Sequence, residues 1–375
     1  MGWSGRASEA SPETGVIRSR RSHPMNAHAA KQSVTTIGID IGKNTFHLIG
    51  MDRRGEIVLR QKYSRGQVEV RLANMPPCLI GMEACVGAHH LSRKLLALGH
   101  DTKLIPAQFV KPFIKSHKND FRDAEAIAEA VQRPTMRFVP TKSVEQLDLQ
   151  ALHRVRARLV SHRTAVVNQI RAFLLERGVA VRQGIRFLRH SLPDILANRG
   201  DVLTPRMAHM IEDLAQDCQK LDTRIDNVTE EIGALVKKDE ACERLMTVPG
   251  IGPIISSATV ATIGDGSAFR RGRDFGAWLG LVPRQISTGD RTILGRISKR
   301  GNSYLRMLFV QAARVILLRP ANWHKYSFGR WLEAAAKRMH HNVVAAALAN
   351  KLSRIAWSVL YHGRGYEARI GAHAA

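Results

Sequence analysis

Apolar positions first recur every second residue and later at helical spacing, and the change of period divides the chain. Val34-Thr35-Thr36-Ile37-Gly38-Ile39-Asp40 is a β-branched run ending in a carboxylate. A turn at Gly42-Lys43-Asn44 leads into a second run over residues 45–51, and Asp52-Arg53-Arg54-Gly55 leads into a third over 56–60. Three strands joined by tight turns predict an antiparallel meander. A short apolar run over 78–82 closes on Glu83, helical spacing follows over 90–98, and 102–106 reads as a further strand. Strands alternating with helices after a meander predict an α/β layered domain over 34–142.

From residue 143 the period lengthens. Leu152, Val155, Leu159, Val166, Ile170 and Phe173 form one stripe of a helix reaching about residue 177, while Arg154, Arg156, Arg158, Arg163 and Arg171 occupy its other faces. After a break over 200–205, Met207, Ile211, Leu214, Cys218, Leu221, Ile225, Val228, Ile232 and Leu235 alternate spacings of four and three. That is a heptad seam, with a residue pattern that favours a two-stranded coiled coil roughly 43 Å long. It either joins two chains as a homodimer or folds back on the arginine-rich helix, and both hold if hairpins from two subunits pack together. Residues 143–243 are thus a helical connector. A mainly α domain is expected over 244–362, where Gly-rich turns alternate with Ala- and Leu-rich helices. Residues 1–33 lack apolar periodicity and read as a disordered basic extension, with Met25 as an alternative start; 363–375 read as a tail.

Charge then narrows the function. Of 375 residues, 57 are Lys or Arg and 32 Asp or Glu, a net charge of +25. Such an excess fits a polyanionic partner, nucleic acid first and an anionic membrane surface second. Apolar runs fall short of the roughly 20 residues of a membrane-spanning helix, and Cys78, Cys85, Cys218 and Cys242 show no CxxC pairing for zinc or a disulfide framework. A cytoplasmic, nucleoid-associated protein is expected. The charge is also sorted: residues 137–189 hold 11 basic against 3 acidic side chains, 201–243 hold 5 against 11, and 270–300 hold 8 against 2. The seam is therefore a poor nucleic-acid surface and its flanks are good ones.

Four carboxylates carry candidate chemistry. Asp40 and Glu83 end strands, and Asp120 and Asp123 lie three apart in Lys118-Asn119-Asp120-Phe121-Arg122-Asp123-Ala124, on one face of a predicted helix. Taken singly, each is an ordinary turn former or solvated helix residue. Converging, they would repel one another unless a hard divalent cation, Mg²⁺ or Mn²⁺, sat among them. Two such ions clamp the attacking and leaving oxygens of a phosphodiester displacement. The order of meander with Asp, strand with Glu and helix with DxxD fits an RNase H-like nuclease core, and Glu125 and Glu129 are the expected bystanders. The rival reading of Gly38-Ile39-Asp40-Ile41-Gly42-Lys43 is the phosphate hairpin of an actin-like ATPase. It requires a second such hairpin, for which Gly264-Asp265-Gly266 is the nearest candidate. Thr247-Val248-Pro249-Gly250-Ile251-Gly252-Pro253 reads as a helix-hairpin-helix turn, with Gly250 and Gly252 letting backbone N–H groups approach a phosphate.

Further on stand Leu279-Gly280-Leu281-Val282-Pro283-Arg284-Gln285-Ile286-Ser287-Thr288-Gly289, read as a loop, and Gly295-Arg296-Ile297-Ser298-Lys299-Arg300-Gly301-Asn302-Ser303-Tyr304-Leu305-Arg306. These segments closely resemble the transposases of the insertion-sequence-110 family, the bridge-RNA-guided DNA recombinases. Gly38-Ile39-Asp40-Ile41-Gly42-Lys43, Gly81-Met82-Glu83-Ala84 and the segment around Asp120 and Asp123 resemble that family's RuvC-like DEDD domain, so the resemblance spans roughly residues 34–320. It departs at Asn119 and Phe121, with both aspartates kept. The resemblance implies that a serine of the C-terminal domain, placed here at Ser287 with Thr288 as alternative, attacks DNA to form a phosphoserine link. It also implies a noncoding bridge RNA pairing with donor and target DNA. Arg154, Arg158, Arg284, Arg296, Lys299, Arg300 and Arg306 then read as nucleic-acid contacts. Two alternatives stay open: a RuvC-type Holliday-junction endonuclease that uses water, and an inactive nucleic-acid-binding scaffold.

Overall fold

The computed structural model describes residues 33–115, 119–198 and 202–368. The extension read over 1–33 lies outside them except for residue 33, as does the end of the expected tail. The first unit is a five-stranded sheet in the order β3-β2-β1-β4-β5, built from β1 (Thr36–Ile41), β2 (Thr45–Met51), β3 (Ile57–Ser64), β4 (Leu79–Glu83) and β5 (Asp101–Ile105). The first three strands form the expected antiparallel meander, and β4 and β5 run parallel to β1. Parallel neighbours need crossovers. α1 (Arg65–Ala73) and α2 (Ala88–Ala97) supply them. The sequence pattern did not reveal α1, because Val68 and Leu72 are its only buried side chains.

Alternation along the strands sorts the two faces of the sheet. Ile37, Ile39, Phe46, Leu48, Ile80 and Met82 pack beneath α1 and α2 against Val68, Leu72, Leu91 and Leu95. The opposite face therefore carries Gly38, Asp40, His47, Ile49, Gly81 and Glu83. After the short α3 (Ala107–Val110), α4 (Asp120–Val131) lies across this second face. It can lie flush because Gly38 and Gly81 are direct partners on adjacent parallel strands. A Cβ on Gly38 would come 2.0 Å from the Ala124 carbonyl oxygen and 2.5 Å from the Ala128 nitrogen. A Cβ on Gly81 would meet Val131 and Ile127.

The connector comprises α5 (Val144–Leu175), α6 (Ile185–Ala197) and α7 (Pro205–Val236). The fold-back is present: the seam residues Ile211, Cys218, Leu221 and Ile225 pack on Leu159, Val166 and Ile170 of α5 in the same chain. Two stripe members depart from the expectation, since Val155 is 45% and Leu235 42% exposed. The sorted charge also meets itself. Arg163 donates to Asp222 at 2.7 Å, Arg189 pairs with the same carboxylate, and Arg156 donates to Thr229. Part of the basic flank is thus spent on the acidic helix. Arg154 and Arg158 remain exposed.

The C-terminal unit contains α8 (Glu240–Met246), α9 (Pro253–Ile263), α10 (Gly272–Trp278), the hairpin β6 (Pro283–Thr288) and β7 (Arg291–Ile297), then α11 (Ser303–Leu317), α12 (Gly329–Arg338) and α13 (His341–His362). Phe275, Leu279, Phe309, Phe328, Leu332, Leu348 and Leu352 form its core. α13 is the one described helix long and apolar enough to cross a membrane, and half of that stretch is buried in the protein. The unit is fastened to α5: buried His153 bridges the Tyr304 hydroxyl at 3.2 Å and the Ser257 hydroxyl at 3.0 Å, and Gln150 donates to the Ala261 carbonyl. Burial, with Arg156 nearby, lowers the His153 pKa to about 4, so the bridge is neutral. On the other side, a short strap leads from the sheet to α5. Val139 donates to Leu104, Arg93 to the Lys142 carbonyl, and the Lys142 amide to His89.

Candidate active site

The second face of the sheet decides what meets at its edge. Asp40 and Glu83 stand at the C-terminal ends of β1 and β4, one alternation beyond the paired glycines. α4 begins above them. Asn119 caps it by accepting from the Phe121 amide, and Asp120 and Asp123 fill the first turn, where the helix dipole favours carboxylates. Helical spacing places Asp120 one turn before Ala124, which lies on Gly38, and Asp123 one turn before Ile127, which lies on Gly81. All four predicted carboxylates are thereby brought together. The expected bystanders point elsewhere, with Glu125 and Glu129 bound to Lys115 at 2.9 and 2.6 Å.

The electrostatics register the crowding. Asp40 is raised to about 6, first by burial and then by the charges of Asp123 and Asp120; His47 opposes the shift and Glu83 adds to it. Burial also raises Glu83, with Asp123 as the next cause. A carboxylate held this far up is one that lacks compensating positive charge. Such a set suits a divalent cation, which would let all four groups ionise together.

His47 is the residue that sequence reasoning missed. It lies directly opposite Asp40 in the β1–β2 register, is 7% exposed, and its Nδ1 sits 3.6 Å from Asp120. That separation is too long for a hydrogen bond, and Nδ1 is buried without a partner. Phe121 meets the imidazole edge-on at 4.8 Å, and Arg60 covers Phe121 at 4.1 Å. Asp40, His47 and Asp120 each offer a donor atom, all within 4.8 Å of one another.

The segment read as a loop around Ser287 is instead an antiparallel hairpin turning at Gly289-Asp290. Both strands are exposed almost throughout. The Ser287 hydroxyl accepts from the Gln285 amide at 2.8 Å and lies 3.4 Å from the Thr292 hydroxyl. Arg284 and Arg296 are exposed on the two strands, and Lys299 and Arg300 are exposed at the base of the hairpin, where their backbone meets Gly280. Arg306 is partly committed, donating to the Leu279 and Arg300 carbonyls. The helix-hairpin-helix reading finds its two helices in α8 and α9, but the two glycines differ. Gly250 is packed against the Ala312 carbonyl and Ile316, whereas a Cβ on Gly252 would meet nothing. Gly264-Asp265-Gly266 merely ends α9, with Asp265 accepting from Ser267, and makes no second phosphate hairpin. Arg154 lines a cavity of about 340 Å³ with Gln150, His153, Asn302 and Tyr304.

Comparison with known proteins fits this division. A family model described as a transposase, covering the DEDD domain of IS110 elements, matches residues 37–177, and one described as "Transposase IS116/IS110/IS902 family" matches 242–327. The chain is 45% identical over 329 residues to a "Probable family 20 transposase" of Pseudomonas aeruginosa, covering 88% of this chain and 97% of the relative. It is also 45% identical to the transposase for insertion sequence element IS1328 of Yersinia enterocolitica, over 88% and 98% of the two chains. Identity to the IS1111A transposase of Coxiella burnetii is 40%, over 91% and 93%. With relatives this similar matched nearly end to end, the chain belongs to the IS116/IS110/IS902 family of transposases.

Proposed function

We propose that the sheet domain is an RNase H-like, RuvC-like catalytic unit in which Asp40, Glu83, Asp120 and Asp123 hold Mg²⁺ or Mn²⁺, and that Ser287 is the nucleophile that joins the protein to DNA. DNA transposition itself follows from family membership. The observation that carries the rest is the convergence of four carboxylates, with Asp40 pushed up to about 6 by burial and by its acidic neighbours. The strand order, with an antiparallel meander continued by two parallel strands, supports the RNase H-like assignment. A divalent ion bound there would polarise a phosphodiester and offset the charge on the leaving oxygen.

The serine's part can be written from its own atoms. The Ser287 hydroxyl oxygen forms a new bond to phosphorus as one bridging P–O bond to deoxyribose breaks. Its proton passes to a basic group, and the departing sugar oxygen takes one up. Attack by another strand's hydroxyl reverses these steps, frees the serine and joins the strands. A hydroxyl is a weak nucleophile until a base or ion activates it. In one chain Ser287 lies exposed on its hairpin, which favours a site completed by the carboxylates of a second subunit. The homodimer would pack α5–α7 hairpins together, using the exposed Val155 and Leu235. Arg284, Arg296, Lys299, Arg300 and Arg306 beside the hairpin, Arg154 and Arg158 on α5, and the α8–α9 turn at Gly250 and Gly252 would hold phosphates of donor DNA, target DNA and a bridge RNA.

The deciding experiment traps a denaturant-resistant protein–DNA adduct. Ser287→Ala should abolish it while DNA binding persists. Asp40→Asn and Asp123→Asn should stop cleavage in Mg²⁺. An adduct that survives Ser287→Ala but not Thr288→Ala moves the nucleophile to Thr288. A wild-type protein that cleaves without ever forming an adduct points to water as nucleophile.

A further inference from the structure

We propose that His47 is a metal ligand, so that the carboxylate cluster offers two unlike positions. Asp40, His47 and Asp120 would surround one ion, and Asp40, Glu83 and Asp123 the other. The proposal rests on the carboxylate–metal reading above and refines it.

Three observations carry it. First, the imidazole Nδ1 is buried without a hydrogen bond and faces Asp120 at 3.6 Å, and the side chain is 9% exposed. A buried nitrogen left unpaired costs free energy, and a cation would satisfy it. Second, the spacing is close to that of a coordination sphere. Donors about 2.1 Å from one ion stand about 3 Å apart when adjacent and about 4 Å apart when opposite. Here the three donors lie within 4.8 Å of one another, with 3.6 Å between His47 and Asp120. Closing the widest pair by less than about 1 Å suffices. Third, the imidazole is held in place, by the β1–β2 register on one side and the Phe121 edge on the other.

The asymmetry follows from helix phase. Asp120 stands one turn beyond the Ala124–Gly38 contact, on the β1–β2 side, whereas Asp123 stands one turn beyond the Ile127–Gly81 contact, beside Glu83 on β4. One position is therefore all oxygen, the set that suits Mg²⁺, while the other contains nitrogen, which shifts preference toward transition ions.

The test uses metal-free full-length protein loaded with Mn²⁺. Pulsed electron paramagnetic resonance of the wild type should show coupling from a directly bound imidazole ¹⁴N. His47→Gln should lose that coupling and weaken one Mn²⁺ site by about tenfold or more, while Mg²⁺ binding changes by less than about threefold. Glu83→Gln should keep the nitrogen coupling. The wild-type spectrum needs no variant, so the test stands even if His47→Gln fails to fold. Bound Mn²⁺ without nitrogen coupling overturns the proposal, as does equal weakening of both ions by His47→Gln, which would mean the ring only supports α4. The underlying metal reading fails separately, if Asp40→Asn leaves both ions bound with wild-type affinity.

Discussion

Gly38 lies against the backbone of α4, and Gly38→Ala should push that helix off the sheet. The added methyl would stand 2.0 Å from the Ala124 carbonyl oxygen and 2.5 Å from the Ala128 nitrogen, both backbone atoms of α4. No rotamer change relieves such a contact, so the helix must retreat by about 1.5 Å to reach ordinary van der Waals separation. Overpacking of this kind costs about 2–3 kcal/mol, which for a domain of this size lowers the melting temperature by roughly 10–20 °C. Asp120 and Asp123 travel with α4, and a misplacement of about 1 Å at a reacting centre can cost about 10²-fold in rate. Gly81→Ala should be milder, since its methyl meets the side chains of Val131 and Ile127. Gly66→Ala, inside α1 with open space around it, should be neutral or stabilising by about 0.5–1 kcal/mol. The assays are thermal unfolding and Mg²⁺-dependent cleavage of a DNA substrate on the same preparations. A Gly38→Ala protein that melts and cleaves like wild type would refute the account of how α4 delivers its aspartates.

Other consequences can be checked directly. Because Asp40 is raised to about 6, the folded metal-free chain keeps a proton that the unfolded chain has lost between about pH 4 and 6, so this group's contribution to stability falls as pH rises through that window. Divalent binding should accordingly release a proton at about pH 5 and almost none at about pH 7.5, measurable by calorimetry in buffers of different ionisation enthalpy. Mixing Ser287→Ala with Asp120→Asn subunits should restore adduct formation if the site is shared between chains; verified mixed dimers that form none would refute sharing. Purified protein should retain a discrete RNA and release it steeply with salt, as counterion release requires, whereas RNA-free protein that recombines DNA unaided would contradict guidance.

The parts of the fold that were legible in the sequence have strong periods. β-Branched and apolar runs joined by tight turns over residues 34–60 predicted the meander, and the spacing from Asp120 to Asp123 put two carboxylates on one helix face. Charge blocks were legible as composition but not as contacts. Arg156 and Arg163 fall within the basic block read as a good nucleic-acid surface, yet they bond to Thr229 and Asp222 on the adjacent helix. The Ser287 hairpin escaped because neither face is buried, so its strands show no apolar alternation, although Gly289-Asp290 is a recognised two-residue turn signal. His47 looked like one polar residue within a strand. Only the pairing of Asp40 with His47, counted back from the Gly42–Asn44 turn, shows that it faces the carboxylates.

The strap over residues 139–142 acquires a mechanical meaning from what lies on either side of it. The sheet domain holds it through Leu104, His89 and Arg93. Helix α5 starts immediately after it, capped by Ser143 and Gln146, and is bolted to the C-terminal unit through His153. The 32-residue α5 is thus a lever arm of roughly 48 Å with its fulcrum at the strap. A swing of about 10° there would move the His153 fastening, roughly 14 Å along the helix, by about 2 Å, already more than the misplacement of about 1 Å that a reacting centre tolerates. The torsion angles of a few residues that touch neither metal nor DNA would therefore govern which carboxylates a given Ser287 can reach.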